Sequence, residues 1–257
     1  MLKMLVAVAI VAQAAAPTTP SAQSMKITPA VVGEIDLGKI KGTLVRQLAW
    51  SPDGSEFYLM TYDPNPDASI KAAYHYLIPA LGGAPKRLDV QPDWASTYWA
   101  WKSDKAAPGD PTFAIEVSQD KKREEAVAIP MGGELAKGGG ADPTGGLSSQ
   151  AAMEAGRAMR NNDVYTLRLK GEVVGEWVNH PIVPGLTFGW GPPKSGLIAF
   201  AERQSGRLII LDKTGAKQKI DDTKGVVLPA WTEDGTRLAY LESRGRNKYA
   251  LVVAKVQ

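Results

Sequence analysis

The heptapeptide LAWSPDG at residues 48–54 returns near the C-terminus as PAWTEDG at residues 229–235. In both copies a tryptophan ends an apolar run, an Asp-Gly pair follows, and a second apolar run begins seven positions after the tryptophan. Asp-Gly between two apolar runs predicts a β-hairpin, because glycine readily adopts the positive φ of a tight turn. We therefore interpret six residues as structural residues of a repeated motif: Trp50, Asp53, Gly54, Trp231, Asp234 and Gly235.

Two weaker copies of the motif lie between these two. FGWGPP, which contains Trp190, leads into IAFAE with one extra turn residue, and WAWKSD, which contains Trp101, has a longer loop before FAI at 113–115. An apolar strand-like segment and a turn follow each copy, and the third strands of successive repeats are predicted at residues 74–78, 126–129, 164–169, 207–211 and 249–254. Several short strands that recur about every 40–50 residues are typical of a β-propeller.

The interval between Trp101 and Trp190 spans about two periods, so one repeat there lacks its tryptophan and the count is five. The missing repeat would include residues 138–162, which are rich in Gly and Ala. Ser149 could cap a short helix over 150–160. Residues 138–162 are therefore interpreted either as a degenerate blade or as a helical insertion.

The last repeat has only three predicted strands, and a strand-like segment at residues 31–37 belongs to no complete repeat. Pairing of 31–37 with 249–256 would supply the missing outer strand and remove an exposed edge. The sequence thus predicts an all-β fold over residues 25–257: a propeller of about five four-stranded blades, closed by an N-terminal strand that completes the last blade.

The stretch Trp50-Ser51-Pro52-Asp53-Gly54 resembles the blade motif of TolB-type propellers and of the propeller domains of prolyl oligopeptidase-type peptidases. The resemblance covers about residues 31–257 and implies the propeller architecture. The chain departs from the TolB type, which has an α/β domain before its propeller and six blades. A Gly-x-Ser-x-Gly nucleophile motif is absent, so the likeness to the peptidases extends to the propeller alone. Partners are not carried over, since a fold does not define a function.

Residues 1–24 are predicted to be a signal peptide and a disordered leader. Lys3 is followed by nine apolar residues at 4–12 and by Ala-x-Ala cleavage sites, and nine residues are too few to span a bilayer. The chain has no cysteine, which excludes a lipid-anchored lipoprotein, disulfides and thiolate metal sites. We expect a periplasmic or secreted protein without a membrane span in its mature form.

Few residues suit catalysis or metal binding. The net charge of +3 and the absence of long basic runs do not favour nucleic acid as a partner. His75 and His180 are the two histidines, and both are interpreted as structural. The predicted innermost strands, 44–50, 95–101, 186–190 and 226–231, contain no Asp or Glu for a glycosidase mechanism. Residues 63–67 begin like a calcium loop but lack its glycine and its final glutamate. We expect no metal and no cofactor.

Trp94, Tyr98 and Trp99 form an aromatic cluster near one predicted strand, and aromatic platforms suit sugars or peptides. These three residues are the candidate ligand-binding residues. The favoured function is a non-enzymatic propeller that binds an unknown protein or peptide of the cell envelope. The alternatives are a carbohydrate-active hydrolase or lyase that uses loop residues, and a carbohydrate-binding propeller.

Overall fold

The computed structural model describes residues 25–65, 70–96, 113–119, 163–179, 187–193 and 195–257. Within these residues the fold is built from β-strands, with one short helical turn at 93–96. The strands are β1 Ile27–Asp36, β2 Leu44–Trp50, β3 Glu56–Pro64, β4 Ile70–Pro79, β5 Lys86–Leu88, β6 Phe113–Gln119, β7 Asp163–Leu169, β8 Glu172–Asn179, β9 Phe188–Trp190, β10 Leu197–Ala201, β11 Leu208–Asp212, β12 Lys217–Lys219, β13 Val226–Trp231, β14 Arg237–Ser243 and β15 Lys248–Val256.

The described strands form four antiparallel sheets in chain order. Sheet 1 is β2-β3-β4-β5, sheet 2 is β6-β7-β8, sheet 3 is β9-β10-β11-β12, and sheet 4 is β13-β14-β15 with β1 added at its outer edge. Within sheets 1, 3 and 4, the strands from β2 to β5, from β9 to β12 and from β13 to β15 pair side by side in chain order, as the alternation of apolar runs and turn residues predicts. Each motif tryptophan in these sheets ends the first strand of its sheet.

The predicted pairing between the N-terminal strand and the last sheet is present. β1 runs antiparallel to β15, with Val31 opposite Val252 and Asp36 opposite Lys248. The inward face of β1 carries Ile35, which is 1% exposed and belongs to the core between sheets 1 and 4. The first strand of the chain therefore completes the last sheet and covers an edge that three strands alone would leave open.

Apolar cores lie between the sheets as well as within them. One core joins sheets 2 and 3, a second joins sheets 3 and 4, and a third joins sheets 4 and 1. Phe200 of β10 packs on Trp177 of β8 with ring centroids 5.1 Å apart, which fixes sheet 3 against sheet 2. The four described sheets thus pack in the series 2, 3, 4, 1, held together by buried apolar surface.

Sheet 2 corrects the repeat assignment made from the sequence. β6 pairs directly with β7, with Ile115 opposite Leu167, although residues 120–162 separate these strands in the chain. The sequence interpretation, which assigns 113–115 and 164–169 to different repeats, is wrong here, because counting periods cannot show that two distant strands pair. The described residues contain four sheets. Segments 126–129 and 138–162 lie outside the described residues.

A second correction concerns the start of the predicted inner strand at 95–101. Ala95 lies in the helical turn at 93–96, where its backbone N–H bonds to the carbonyl of Pro92 at 3.0 Å. Proline pre-sets a φ suited to the start of such a turn, which a count of apolar residues does not detect. Residues 97–101 of this predicted strand lie outside the described part of the chain.

Candidate functional site

The Asp-Gly turn after β2 is held by hydrogen bonds to Asp53. The Ser51 hydroxyl donates to Asp53 Oδ1 at 2.6 Å, and Ser55 donates to the same carboxylate from its backbone N–H at 3.1 Å and its hydroxyl at 2.8 Å. These hydrogen bonds, chiefly that from Ser51, lower the pKa of Asp53 from 3.8 to about 2. Gly54 follows with φ of 67°, in the left-handed region that favours glycine.

The turn after β13 repeats this arrangement. The Thr232 hydroxyl donates to Asp234 Oδ1 at 2.5 Å, and Thr236 donates from its backbone N–H at 3.0 Å and its hydroxyl at 2.8 Å. The pKa of Asp234 is lowered from 3.8 to about 2, chiefly by the Thr232 hydrogen bond. Gly235 has φ of 70°. The motif carboxylates are therefore engaged in holding the turns.

The motif tryptophans pack between sheets. Trp231 is fully buried and its indole N–H donates to the carbonyl of Gly189 at 3.2 Å. Trp50 donates in the same way to the carbonyl of Ala230 at 2.9 Å. Trp190 is also fully buried, with its ring centroid 5.7 Å from that of Phe113. These three tryptophans serve inter-sheet packing, and Trp101 lies outside the described residues.

Of the predicted aromatic cluster, the structure describes only Trp94. Its ring meets the ring of Tyr58 edge-on, with centroids 6.1 Å apart, and the side chain is half-buried against the core between sheets 1 and 4. Tyr98 and Trp99 lie outside the described residues. The described contacts of Trp94 are therefore those of a packing residue.

His75 and Asp63 make ordinary structural contacts. His75 Nδ1 lies 2.7 Å from the hydroxyl of Tyr58, and burial lowers the pKa of His75. Asp63 lies in β3 and accepts hydrogen bonds from the Thr43 N–H at 3.0 Å and the Tyr74 hydroxyl at 3.1 Å. His180 and the second half of the calcium-like segment are outside the described residues.

A groove with a volume of about 390 Å³ opens at one end of the sheets. β9 and β13 begin at this end, and β8, β10 and β14 finish at it. The groove thus lies across sheets 2, 3 and 4. Its lining is formed by Val178, Thr187, Ala201, Glu202, Arg203, Gly206, Gly225, Val226, Val227, Ser243 and Tyr249.

The lining combines an apolar floor with polar groups. Val226 and Val227 are nearly inaccessible to solvent and form the floor on sheet 4. Tyr249 is half-buried, its pKa is raised by burial, and its hydroxyl makes no hydrogen bond within the described structure. The Ser243 hydroxyl beside it is exposed and likewise makes none there. At neutral pH the Tyr249 hydroxyl is therefore a neutral donor available to a ligand.

A smaller cleft of about 210 Å³ adjoins the groove and shares Glu202 and Arg203 with it. Glu202 accepts a hydrogen bond from Ser205 at 2.6 Å and ion-pairs with Lys217 and Lys219 at 3.3 and 3.4 Å. These contacts, led by the Ser205 hydrogen bond, lower the pKa of Glu202, so it is ionised at neutral pH. Arg203 lies 3.8 Å from the carboxylate of Glu176. The two cavities therefore share one acidic and one basic side chain, those of Glu202 and Arg203.

The residues that the structure describes form neither a metal-binding cluster nor a membrane-spanning helix. Among those residues no three His, Cys, Asp or Glu side chains are placed to hold a metal ion. Over the same residues no helix has both the length and the apolar character needed to cross a bilayer.

The groove has no signature in the sequence motifs. Its lining residues come from separate strands and turns, and none is a tryptophan, aspartate or glycine of the repeated turn motif. The one available signal was topological: the turn after β10 and the turn after β14 occupy the same place in successive hairpins. Such turns converge at one end of neighbouring sheets, where loop residues commonly form binding sites.

No protein-family profile matches the chain, and no curated protein sequence matches it. Among solved structures, TolB from Acinetobacter baumannii is similar with a TM-score of 0.28 and 11% sequence identity. The match covers 82% of this chain and 43% of the TolB chain, so this chain spans less than half of that protein. A TM-score of 0.28 is too low to indicate a shared fold or a shared function.

Proposed function

We propose that the four described sheets are blades of a β-propeller and that the chain is an exported binding module for a protein or peptide segment. Two arrangements support the propeller. Sheets 2, 3, 4 and 1 pack in series, and β1 joins the start of the chain to its last sheet. The indole hydrogen bonds of Trp231 and Trp50 also repeat from one sheet to the next.

The observation that carries the binding function is the groove across sheets 2, 3 and 4. Binding sites combine apolar walls with a few polar groups that fix orientation, and this groove has both. Val226 and Val227 supply the apolar floor, and the Tyr249 hydroxyl supplies a donor with no partner in the described structure. A peptide fits this chemistry, because an extended chain offers carbonyl acceptors beside its apolar side chains.

Gly206 offers a direct test of the groove. A Cβ at Gly206 would meet no atom within 4 Å, and its φ of 65° is one that asparagine tolerates. Gly206→Asn therefore places a side chain in the groove at little cost to folding. Gly171→Asn is the matched control, since Gly171 also has open space and positive φ of 89° but lines neither cavity.

The experiment selects heptapeptides from a phage-displayed library on the wild-type protein and measures their affinities by fluorescence anisotropy. We expect dissociation constants of about 1–100 μM, weakened at least about tenfold by Gly206→Asn and unchanged by Gly171→Asn. Tyr249→Phe should weaken binding by about three- to tenfold with no change in melting temperature. Failure to enrich any peptide, or equal binding to both asparagine variants, would contradict the proposal.

Export rests on the sequence of residues 1–24. We propose cleavage of a signal peptide, so that the mature chain begins between Ala15 and Met25 and resides in the periplasm or outside the cell. N-terminal sequencing of the protein from its native source tests this directly. Recovery of Met1 would contradict export.

A further inference from the structure

The turn that follows β14 places positive charge at the rim of the groove. Residues 244–248 read Arg-Gly-Arg-Asn-Lys, with three cations and no carboxylate. Ser243 and Tyr249, which line the groove, flank this turn directly. Lys224 adds a further exposed cation next to Gly225, another lining residue. Four basic residues therefore lie on the two chain segments that supply lining residues on the sheet 4 side of the groove.

Nearby carboxylates offset part of this charge: Asp222, two positions before Lys224, is exposed, and Asp221 pairs with Arg207 at 2.8 Å. Glu242 is buried and accepts from Arg244 Nη2 at 3.2 Å and from the Lys224 backbone N–H at 3.2 Å. Lys248 Nζ forms ion pairs with Asp36 at 3.8 Å and with Glu34 at 3.9 Å.

Arg246 has no such partner. Its side chain is exposed, and it makes no hydrogen bond or ion pair within the described residues. A guanidinium is always charged and presents several donors suited to a carboxylate. Across the groove, the charge of Glu202 is already balanced by Lys217 and Lys219. Among the described residues, Arg246 is therefore a cation without a partner on the turn next to the groove.

We infer that the segment bound in the groove is an acidic peptide, with a carboxylate facing Arg246 and an apolar side chain against Val226 and Val227. This inference rests on the proposed function and adds the chemistry of its ligand. An extended peptide that alternates apolar and acidic residues satisfies both surfaces, since successive side chains point in opposite directions. Complementary charge at a rim raises the association rate and selects among ligands.

The probes are three rhodamine-labelled hexapeptides that alternate leucine with glutamate, glutamine or lysine. At about 0.05 M salt the glutamate peptide should bind at least about tenfold tighter than the glutamine peptide, and the lysine peptide weakest. The preference should shrink at about 0.5 M salt, because ions screen exposed charges. Arg246→Glu should abolish the preference for glutamate.

Lys255→Glu is the matched control, because it makes the same change of charge at the opposite end of β15. It should leave the preference unchanged. Two results would contradict an acidic ligand and leave the groove proposal standing. In one, the three hexapeptides bind equally well. In the other, no hexapeptide binds although phage-selected peptides still bind. If neither hexapeptides nor selected peptides bind, both proposals fail. Heparin binding that depends on Arg246 but is insensitive to Gly206→Asn would assign this rim to polyanions and also overturn the inference.

Discussion

The indole nitrogen of Trp50 donates a hydrogen bond to the carbonyl oxygen of Ala230, 180 positions away in the chain, at 2.9 Å. Trp231 makes the equivalent bond to Gly189 at 3.2 Å. Each acceptor is the residue just before the motif tryptophan of its own sheet. Trp50 and Trp231 therefore each fill the space between two sheets and donate to a carbonyl on the first strand of the neighbouring sheet.

Replacement of Trp231 by phenylalanine should show what this hydrogen bond contributes. Trp177→Phe is the control, because Trp177 is equally buried and its indole N–H has no partner within the described structure. Both variants lose similar volume, but only Trp231→Phe removes a hydrogen bond. We expect Trp231→Phe to lower the free energy of unfolding by about 1–2 kcal/mol more than Trp177→Phe, measured by urea denaturation. Equal losses would show that packing alone accounts for the tryptophan.

Substitution of Gly235 should separate backbone strain from packing. A Cβ there would meet Leu197 and Pro192 at ordinary contact distances of 3.5 and 3.6 Å, so the φ of 70° is the main obstacle. Gly235→Val should cost about 1 kcal/mol or more, and Gly235→Asn much less, because asparagine tolerates this region. Thermal melts of the two variants test this. Equal destabilisation by valine and asparagine would show that side-chain packing, and not backbone strain, causes the loss of stability.

The turn carboxylates predict a loss of stability in acid. The pKa of Asp234 in the folded state is about 2, below its ordinary value of 3.8. Its stabilising contribution is therefore complete above about pH 4 and is lost as the pH falls towards about 2. Asp234→Asn should lower the melting temperature at neutral pH. Between about pH 4 and pH 2 the melting temperature of the variant should also change less with pH than that of the wild type. If the melting temperatures of variant and wild type change with pH in parallel, Asp234 is not the source of the acid-dependent stability.

Removal of β1 should expose the edge of β15. A chain that starts at Gly38 loses nine strand pairings and the buried side chains of Ile35 and Leu37. We expect strong destabilisation or aggregation through the freed edge. A chain that starts at Met25 keeps β1 whole and should melt like the mature protein. Identical melting of the two shortened chains would show that β1 is dispensable.

Much of the local architecture could be predicted from the sequence, but the strand pairing in sheet 2 could not. The hairpins at Asp53-Gly54 and Asp234-Gly235 were predictable, because a turn depends on residues within a few positions. The pairing of β1 with β15 followed from counting strands. The partner of β6 could not be predicted in this way, because residues 120–162 separate β6 from β7 and only proximity in space reveals their pairing.

The sequence by itself determined the turns, through hydrogen bonds such as that from Thr232 to Asp234 two positions away. It also determined which strand segments are apolar enough to be buried. Tertiary structure alone decided which tryptophan meets which carbonyl and how the groove forms beside Tyr249. The physical reason is range: turn chemistry acts within one short segment, whereas the groove depends on how three sheets pack their apolar faces.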